Sequence, residues 1–261
     1  MKEILVHLDH YPGSGERLAV AAGLARRLDA RLAGLLVLRH DFPRPGAVGA
    51  LEDLFKTVSE AEGLEAEWRC LDGSAMGIDR TPLVTHHAQY ADLVVLGQDS
   101  PEAASVGVHE DLPEKVLLQS GRPVLVVPRS GSYPGTGTRV LVAWRPGAAC
   151  TRALMEALPV LRKAQRVEVL ARPGTDCPEG PEQVQASLSA LLSRQGVAAR
   201  VGAFPTPDHP VAEWLLNRVF DEGFDLLVTG ALGRGEGARA ALGGVASQLL
   251  REMTVPVFMC T

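Results

Sequence analysis

With 261 residues, 46% hydrophobic and 22% charged, the chain can bury a proper core and exceeds the usual domain size of about 100–150 residues, so two domains are expected. A formal net charge of −5 gives no sign of the basic face that binds nucleic acid. The opening Met1-Lys2-Glu3 is followed by a run of only strand length, Ile4 to Leu8, and no apolar run approaches the roughly 18 residues of a membrane span, so a cytoplasmic, membrane-free location is expected.

In chain order, short runs rich in Val and Leu alternate with segments of helical period, the pattern of a parallel sheet covered on both faces. In the first half strands are predicted at 4–8, 32–38, 66–71, 93–96 and 124–127, with helices over 15–28, 51–61, 82–89 and 112–119. Leu18, Ala21, Ala22, Ala25 and Leu28 give the first helix its buried stripe and leave Arg26 and Arg27 outward. In the second half strands are predicted at 140–144, 167–170, 199–201, 226–229 and 257–259, and helices over 148–163, 182–194, 211–220 and 238–252.

The two halves match. Ala91-Asp92-Leu93-Val94-Val95-Leu96-Gly97 corresponds to Phe224-Asp225-Leu226-Leu227-Val228-Thr229-Gly230, and Pro123 corresponds to Pro256, at one common offset (225 − 92 and 256 − 123, 133 in each case). Residues 129–138, rich in Gly, Ser, Thr and Pro, supply turn chemistry and no core pattern, and read as a linker between domains 1–128 and 139–261. In a doubly wound sheet a ligand site is expected at the carboxyl ends of the first and fourth strands of each half.

There the fourth strand of the second half enters Gly230-Ala231-Leu232-Gly233-Arg234-Gly235-Glu236-Gly237, followed by Gly243-Gly244-Val245. Spaced glycines after a strand let backbone approach a ligand, and amides at a helix start attract anions. With the duplication, this stretch resembles the universal stress protein family, whose nucleotide-binding members carry Gly, two residues, Gly, nine residues, Gly, then Ser or Thr; Gly230, Gly233 and Gly243 fit that spacing. The resemblance implies, for each half, a doubly wound α/β domain with a five-stranded parallel sheet in the order 3-2-1-4-5 and four helices. It also implies packing of the halves as an internal pseudo-dimer, and binding of ATP or another adenine nucleotide in some members.

By motif position the resemblance places Thr229, Gly230, Gly233, Gly243, Gly244 and Val245 around phosphates and ribose. Two positions depart from it: Gly244 stands where Ser or Thr would supply a hydroxyl, and Arg145 replaces the acidic residue at the end of the first strand. In the first half Asp9 keeps the acid, but Ser100 stands at the second glycine and Asp99 and Glu102 would repel phosphate. The expected function is a stress-response nucleotide-binding module with its site in the second half. The alternatives are an interaction protein with a vestigial site, or a slow ATPase. The protein partner and any further homo-oligomer are left open.

Plainer readings accompany these. Asp9 reads as a turn or cap residue, Ser14 as a helix cap, and adjacent His86 and His87 as surface histidines that do not share a helix face. No catalysis is assigned to any histidine, and His40, His109 and His209 have no metal or triad spacing around them. Neither a phosphate loop of the Gly-x-x-x-x-Gly-Lys-Ser/Thr type nor a Cys-x-x-Cys pair occurs, so no enzyme activity, zinc knuckle or redox motif is expected; Cys70, Cys150, Cys177 and Cys260 read as free thiols.

Overall fold

The computed structural model describes residues 1–38, 46–99, 111–172, 178–205, 210–232 and 241–261. The chain forms two compact units, Met1–Pro134 and Gly135–Thr261.

The first unit contains β1 (Glu3–Leu8), α1 (Ser14–Leu28), β2 (Arg31–Leu38), α2 (Ala47–Ala61), β3 (Ala66–Asp72), α3 (Gly73–Met76), α4 (Arg80–Ala88), β4 (Leu93–Gly97), α5 (Leu112–Gln119) and β5 (Val124–Val127). All its strand pairs are parallel, and β3-β2-β1-β4-β5 is the order across the unit. Register is set at the centre by Ile4 opposite Leu32 on one side and Leu93 on the other. β1, β4 and β5 are apolar runs because helices cover both faces, and Ile4, Leu5, Leu93, Val94 and Val124 are fully buried.

The second unit contains β6 (Arg139–Trp144), α6 (Ala148–Glu156), α7 (Leu158–Leu161), β7 (Arg166–Ala171), α8 (Pro181–Arg194), β8 (Ala199–Ala203), α9 (Val211–Glu222), β9 (Leu226–Gly230), α10 (Gly244–Glu252) and β10 (Val257–Cys260). It repeats the same parallel arrangement, β10-β9-β6-β7-β8. Each unit is thus the doubly wound α/β sheet expected from the sequence.

Three expectations are corrected. The helix predicted over 148–163 is broken into α6 and α7, because Pro159 has no N–H to bond the carbonyl of Met155 and its ring crowds that carbonyl. The helix predicted from 238 begins at Gly244: residues 238–240 lie outside the described residues, Leu242 forms an antiparallel bridge with Leu232, and Gly243 is extended (φ −68°, ψ 150°). The short helix α3 has no counterpart among the predicted elements; the Asp72 carboxylate accepts from the Ala75 amide at 2.9 Å and nucleates it directly after β3.

The segment joining the units is tied down at both ends. The Tyr133 amide donates to Glu16 of α1 at 2.5 Å, within the first unit. The amides of Gly137, Thr138 and Arg139 donate to the Asp225 carboxylate at 2.7, 3.2 and 2.9 Å, within the second.

One buried charge organises the second unit's edge. Glu168 on β7 is 3% exposed and is held by Arg218 of α9 at 2.7 Å and Arg166 at 3.1 Å; both arginines also reach Glu222. Arg218→Met should leave Glu168 half-paired and lower the stability of the second unit by about 2 kcal/mol in urea unfolding, whereas Glu168→Met with Arg218→Met should recover most of that loss, since no buried charge remains.

Candidate functional site

At the carboxyl ends of β6 and β9, the switch point of the second sheet, lies a cavity of about 260 Å³. This is just below the range of about 300–1,000 Å³ usual for small-molecule sites. Around it the structure brings together Arg145, Thr229, Gly230, Gly243, Gly244 and Val245. Gly233, the remaining residue of the expected set, lies outside the described residues.

Each wall has a local cause. Thr229 is buried (7% exposed) at the end of β9. Gly230 follows at a point where no side chain fits: a Cβ there would lie 2.6 Å from the Cys150 amide nitrogen and 2.8 Å from the carbonyl carbon of Ala149, at the start of α6. The glycine thus has a packing reason before any ligand is considered. The chain then passes Ala231, whose amide donates to the Cys260 carbonyl at 2.8 Å, and the Leu232–Leu242 bridge closes the loop.

The Gly243 amide donates to the Ala231 carbonyl at 2.8 Å and starts α10 beside the end of β9. The first intrahelical bond is Ser247 amide to Gly243 carbonyl, at 3.0 Å, so the amides of Gly244, Val245 and Ala246 stand ahead of it at the positive end of the helix. A Cβ on Gly244 would meet nothing within 4 Å. Arg145 is half-buried and its guanidinium donates to the Leu232 carbonyl at 2.6 Å, tying the cation to the loop. Among the described residues lining the cavity there is no carboxylate.

The other end of the cavity has no signature in the sequence. There Trp144, Arg172 and Phe204 follow one another across the ends of β6, β7 and β8, with Val211 and Leu215 of α9 below. The Arg172 amide bonds the Trp144 carbonyl at 2.9 Å, and its guanidinium stands over the Phe204 ring, 5.7 Å from the centroid. Phe204 in turn packs on Trp214 with ring centroids 4.8 Å apart. A purely chemical signal exists, an aromatic or Arg residue just at the end of three successive strands, but nothing in the spacing marks it as a motif.

The corresponding place in the first unit is filled from within. Arg17, 4% exposed, reaches back from α1 and would lie 2.5 Å from a Cβ on Gly97, the counterpart of Gly230. It pairs with Asp9 at 3.1 Å, and the Asp9 carboxylate also accepts from the Tyr11 amide at 3.1 Å. Asp9 is thereby a turn residue, in keeping with its plainer reading. Ser14, expected as a helix cap, does not cap: Gly13 takes that position at φ 96°, and the Ser14 hydroxyl lies 2.7 Å from the Asp9 carbonyl and 2.9 Å from its carboxylate. Of the acidic loop, Ser100 and Glu102 lie outside the described residues.

His7 is fully buried beside this pair, 3.9 Å from Asp9, with neither ring nitrogen hydrogen-bonded. Burial lowers its pKa to about 3; Asp9 opposes that effect, and Arg80 and Arg17 add to it. Asp9 is held well below the usual carboxylate range: burial alone would raise it, and the Arg17 charge and hydrogen bond, with the Arg80 charge, outweigh that. His86 is exposed with its ring edge-on to His87, centroids 5.6 Å apart. Cys150 and Cys260 are buried free thiols and Cys70 an exposed one; Cys177, His40, His109 and His209 lie outside the described residues. No described helix is long and apolar enough to cross a membrane, and no cluster of metal-ligating side chains occurs among the described residues.

Two doubly wound units in tandem, the second with a cavity at its switch point, define a two-domain α/β protein. The model of the Universal stress protein family matches residues 206–261. Over its whole length the fold is similar to that of a universal stress protein from Archaeoglobus fulgidus, at 16% identity and TM-score 0.66, with 99% of this chain and 96% of that one covered. It is similar also to a putative universal stress protein from Pseudomonas aeruginosa, at 18% identity and TM-score 0.62, covering 99% and 92%. The cytoplasmic domain of a prokaryotic cation chloride cotransporter shares the fold at 11% identity and TM-score 0.55, covering 98% and 94%. No curated protein sequence matches the chain significantly. The universal stress protein family model thus matches the end of the second unit, and the fold is similar to that of universal stress proteins over both units.

Two outcomes are expected. Gly230→Ala should destabilise the second unit by about 1–3 kcal/mol in thermal or urea unfolding, because the clash is with backbone that cannot rotate away. His7 stays neutral in the folded chain down to about pH 3 and protonates near 6.5 when unfolded, so it contributes stability above pH 6.5 that is lost as pH falls. Between pH 6.5 and 4.5 hydrogen exchange of β1 amides should report a loss approaching about 1.4 kcal/mol per pH unit, and His7→Leu should flatten that slope.

Proposed function

We propose that the second unit binds a nucleotide, with its phosphates at the loop between β9 and α10, and that the chain acts as a stress-response binding module without turnover. The observation that supports this best is the convergence, on one cavity, of a backbone free of side chains at Gly230, Gly243 and Gly244, the amide end of α10, and the Arg145 cation. The loop backbone from Thr229 to Leu232 and the amides of Gly244 and Val245 are the proposed donors and close contacts. Arg145 retains guanidinium donors beyond the one given to Leu232 and supplies positive charge. ATP, which the family resemblance implies, is the first ligand to try. Binding without hydrolysis is favoured because no carboxylate among the described lining residues is placed to hold a metal or activate water.

A second reading, an interaction module whose nucleotide site is vestigial, is favoured by one observation: Arg17 and Asp9 already occupy the equivalent place in the first unit.

The test is release of bound nucleotide from freshly purified, denatured protein, followed by calorimetric titration of ATP and GTP into the emptied chain. About one site per chain is expected, with no phosphate released on prolonged incubation. Gly244→Ser, whose side chain enters open space, should add a hydroxyl donor to phosphate and tighten binding about tenfold. An empty preparation that binds neither nucleotide at millimolar concentration, with Gly244→Ser equally inert, overturns the nucleotide reading in favour of the second.

A further inference from the structure

The two ends of the cavity differ in chemistry. Over β9 and the start of α10 the walls are largely backbone; over the ends of β6, β7 and β8 they are the side chains of Trp144, Arg172 and Phe204. If phosphates lie at the loop, a base falls at the second end, so the choice of base rests on the nucleotide reading proposed for this site. Planar walls suit a planar ligand: Phe204 is 9% exposed and braced by Trp214, and Trp144 is half-buried.

Among the described residues, the polar side-chain groups at that end are of one kind. The Trp144 indole N–H and the Arg172 guanidinium donate hydrogen bonds and accept none. The one hydroxyl in the described lining, on Thr229, sits at the loop end. A guanine edge presents two acceptors, O6 and N7, which a guanidinium meets with two parallel N–H bonds; an adenine edge presents N7 beside an N6 amino group, which turns a donor toward a donor. Arg172 is anchored at its base by the bond from its amide to the Trp144 carbonyl, while its exposed guanidinium rests on Phe204. It is thus held at the rim by stacking, which leaves its N–H groups to a ligand.

We infer that this site selects a 6-oxopurine nucleotide, guanine in place of the adenine expected from the sequence, and that Arg172 is the residue that determines the choice. Contacts through O6 and N7 alone make the guanine 2-amino group dispensable, so inosine nucleotides bind as guanosine nucleotides do.

The experiment is calorimetric titration of GTP, ITP and ATP into wild type, Arg172→Gln and Gly244→Ser. GTP and ITP should bind alike and about tenfold more tightly than ATP, within the range that a bidentate Arg–guanine pair provides. Glutamine carries both a donor and an acceptor and matches adenine N6 and N7, so Arg172→Gln should weaken GTP and ITP about tenfold and erase or reverse the preference against ATP. Gly244→Ser should tighten all three equally, because it acts at the phosphates. ATP binding as well as or better than GTP, or a preference unchanged in Arg172→Gln, overturns this inference and leaves the nucleotide site standing if Gly244→Ser still tightens binding. Binding of none of the three by any of these proteins overturns both.

Discussion

In both units a glycine at the end of the fourth strand meets the first helix so closely that a single methyl group would collide with it. In the second unit the collision is with backbone, the Cys150 amide and the Ala149 carbonyl carbon. In the first it is with the tip of a side chain, the Arg17 guanidinium. This approach fixes where α6 begins relative to the end of β9, beside which the cavity lies. Where backbone makes the contact a cavity lies beside it; where an arginine makes it, a guanidinium stands against the strand end.

The same fold therefore carries two opposite interiors. His7 and Asp9 of β1 and the loop after it correspond to Ala143 and Arg145 of β6 and the loop after it (143 − 7 and 145 − 9, 136 in each case). Histidine and aspartate, joined by Arg17, fill the first unit with a buried charged cluster; alanine leaves room in the second, and Arg145 turns to the loop carbonyl of Leu232. Burying an ion pair is weak support for stability by itself, and the uncharged His7 beside it costs more as acid protonates the unfolded chain. What the first unit gains is a strand end that no longer depends on an occupant.

Much of the fold is legible in the sequence because the information is local and repeated. Strand runs such as Leu93–Leu96 and Leu226–Val228 are apolar throughout, as a sheet covered on both faces requires, and the duplication lets each half check the other. What fails to show is decided by single residues acting against periodicity: Pro159 inside an otherwise helical stretch, and Gly243, whose extended backbone delays α10 although the sequence before it has helix-forming composition. The loop side of the site can be read because its residues are nearly consecutive. The Trp144, Arg172 and Phe204 side cannot, because three separate strands bring those residues together and nothing in their spacing records it. The filling of the first unit is hidden for a similar reason: Arg17 looks like any helix arginine until its direction over Gly97 is seen.

The empty space beside Gly244 carries a consequence at the level of the gene. A glycine codon ending in a pyrimidine becomes a serine codon by one change at the first base, so where Gly244 has such a codon a hydroxyl at the head of α10 is a single point mutation away, in space that is open among the described residues. A lineage carrying this chain could gain or lose that hydroxyl without passing through an unfolded intermediate sequence. The first unit has no such route, since emptying it means removing Arg17 and finding new partners for Asp9 and His7 together.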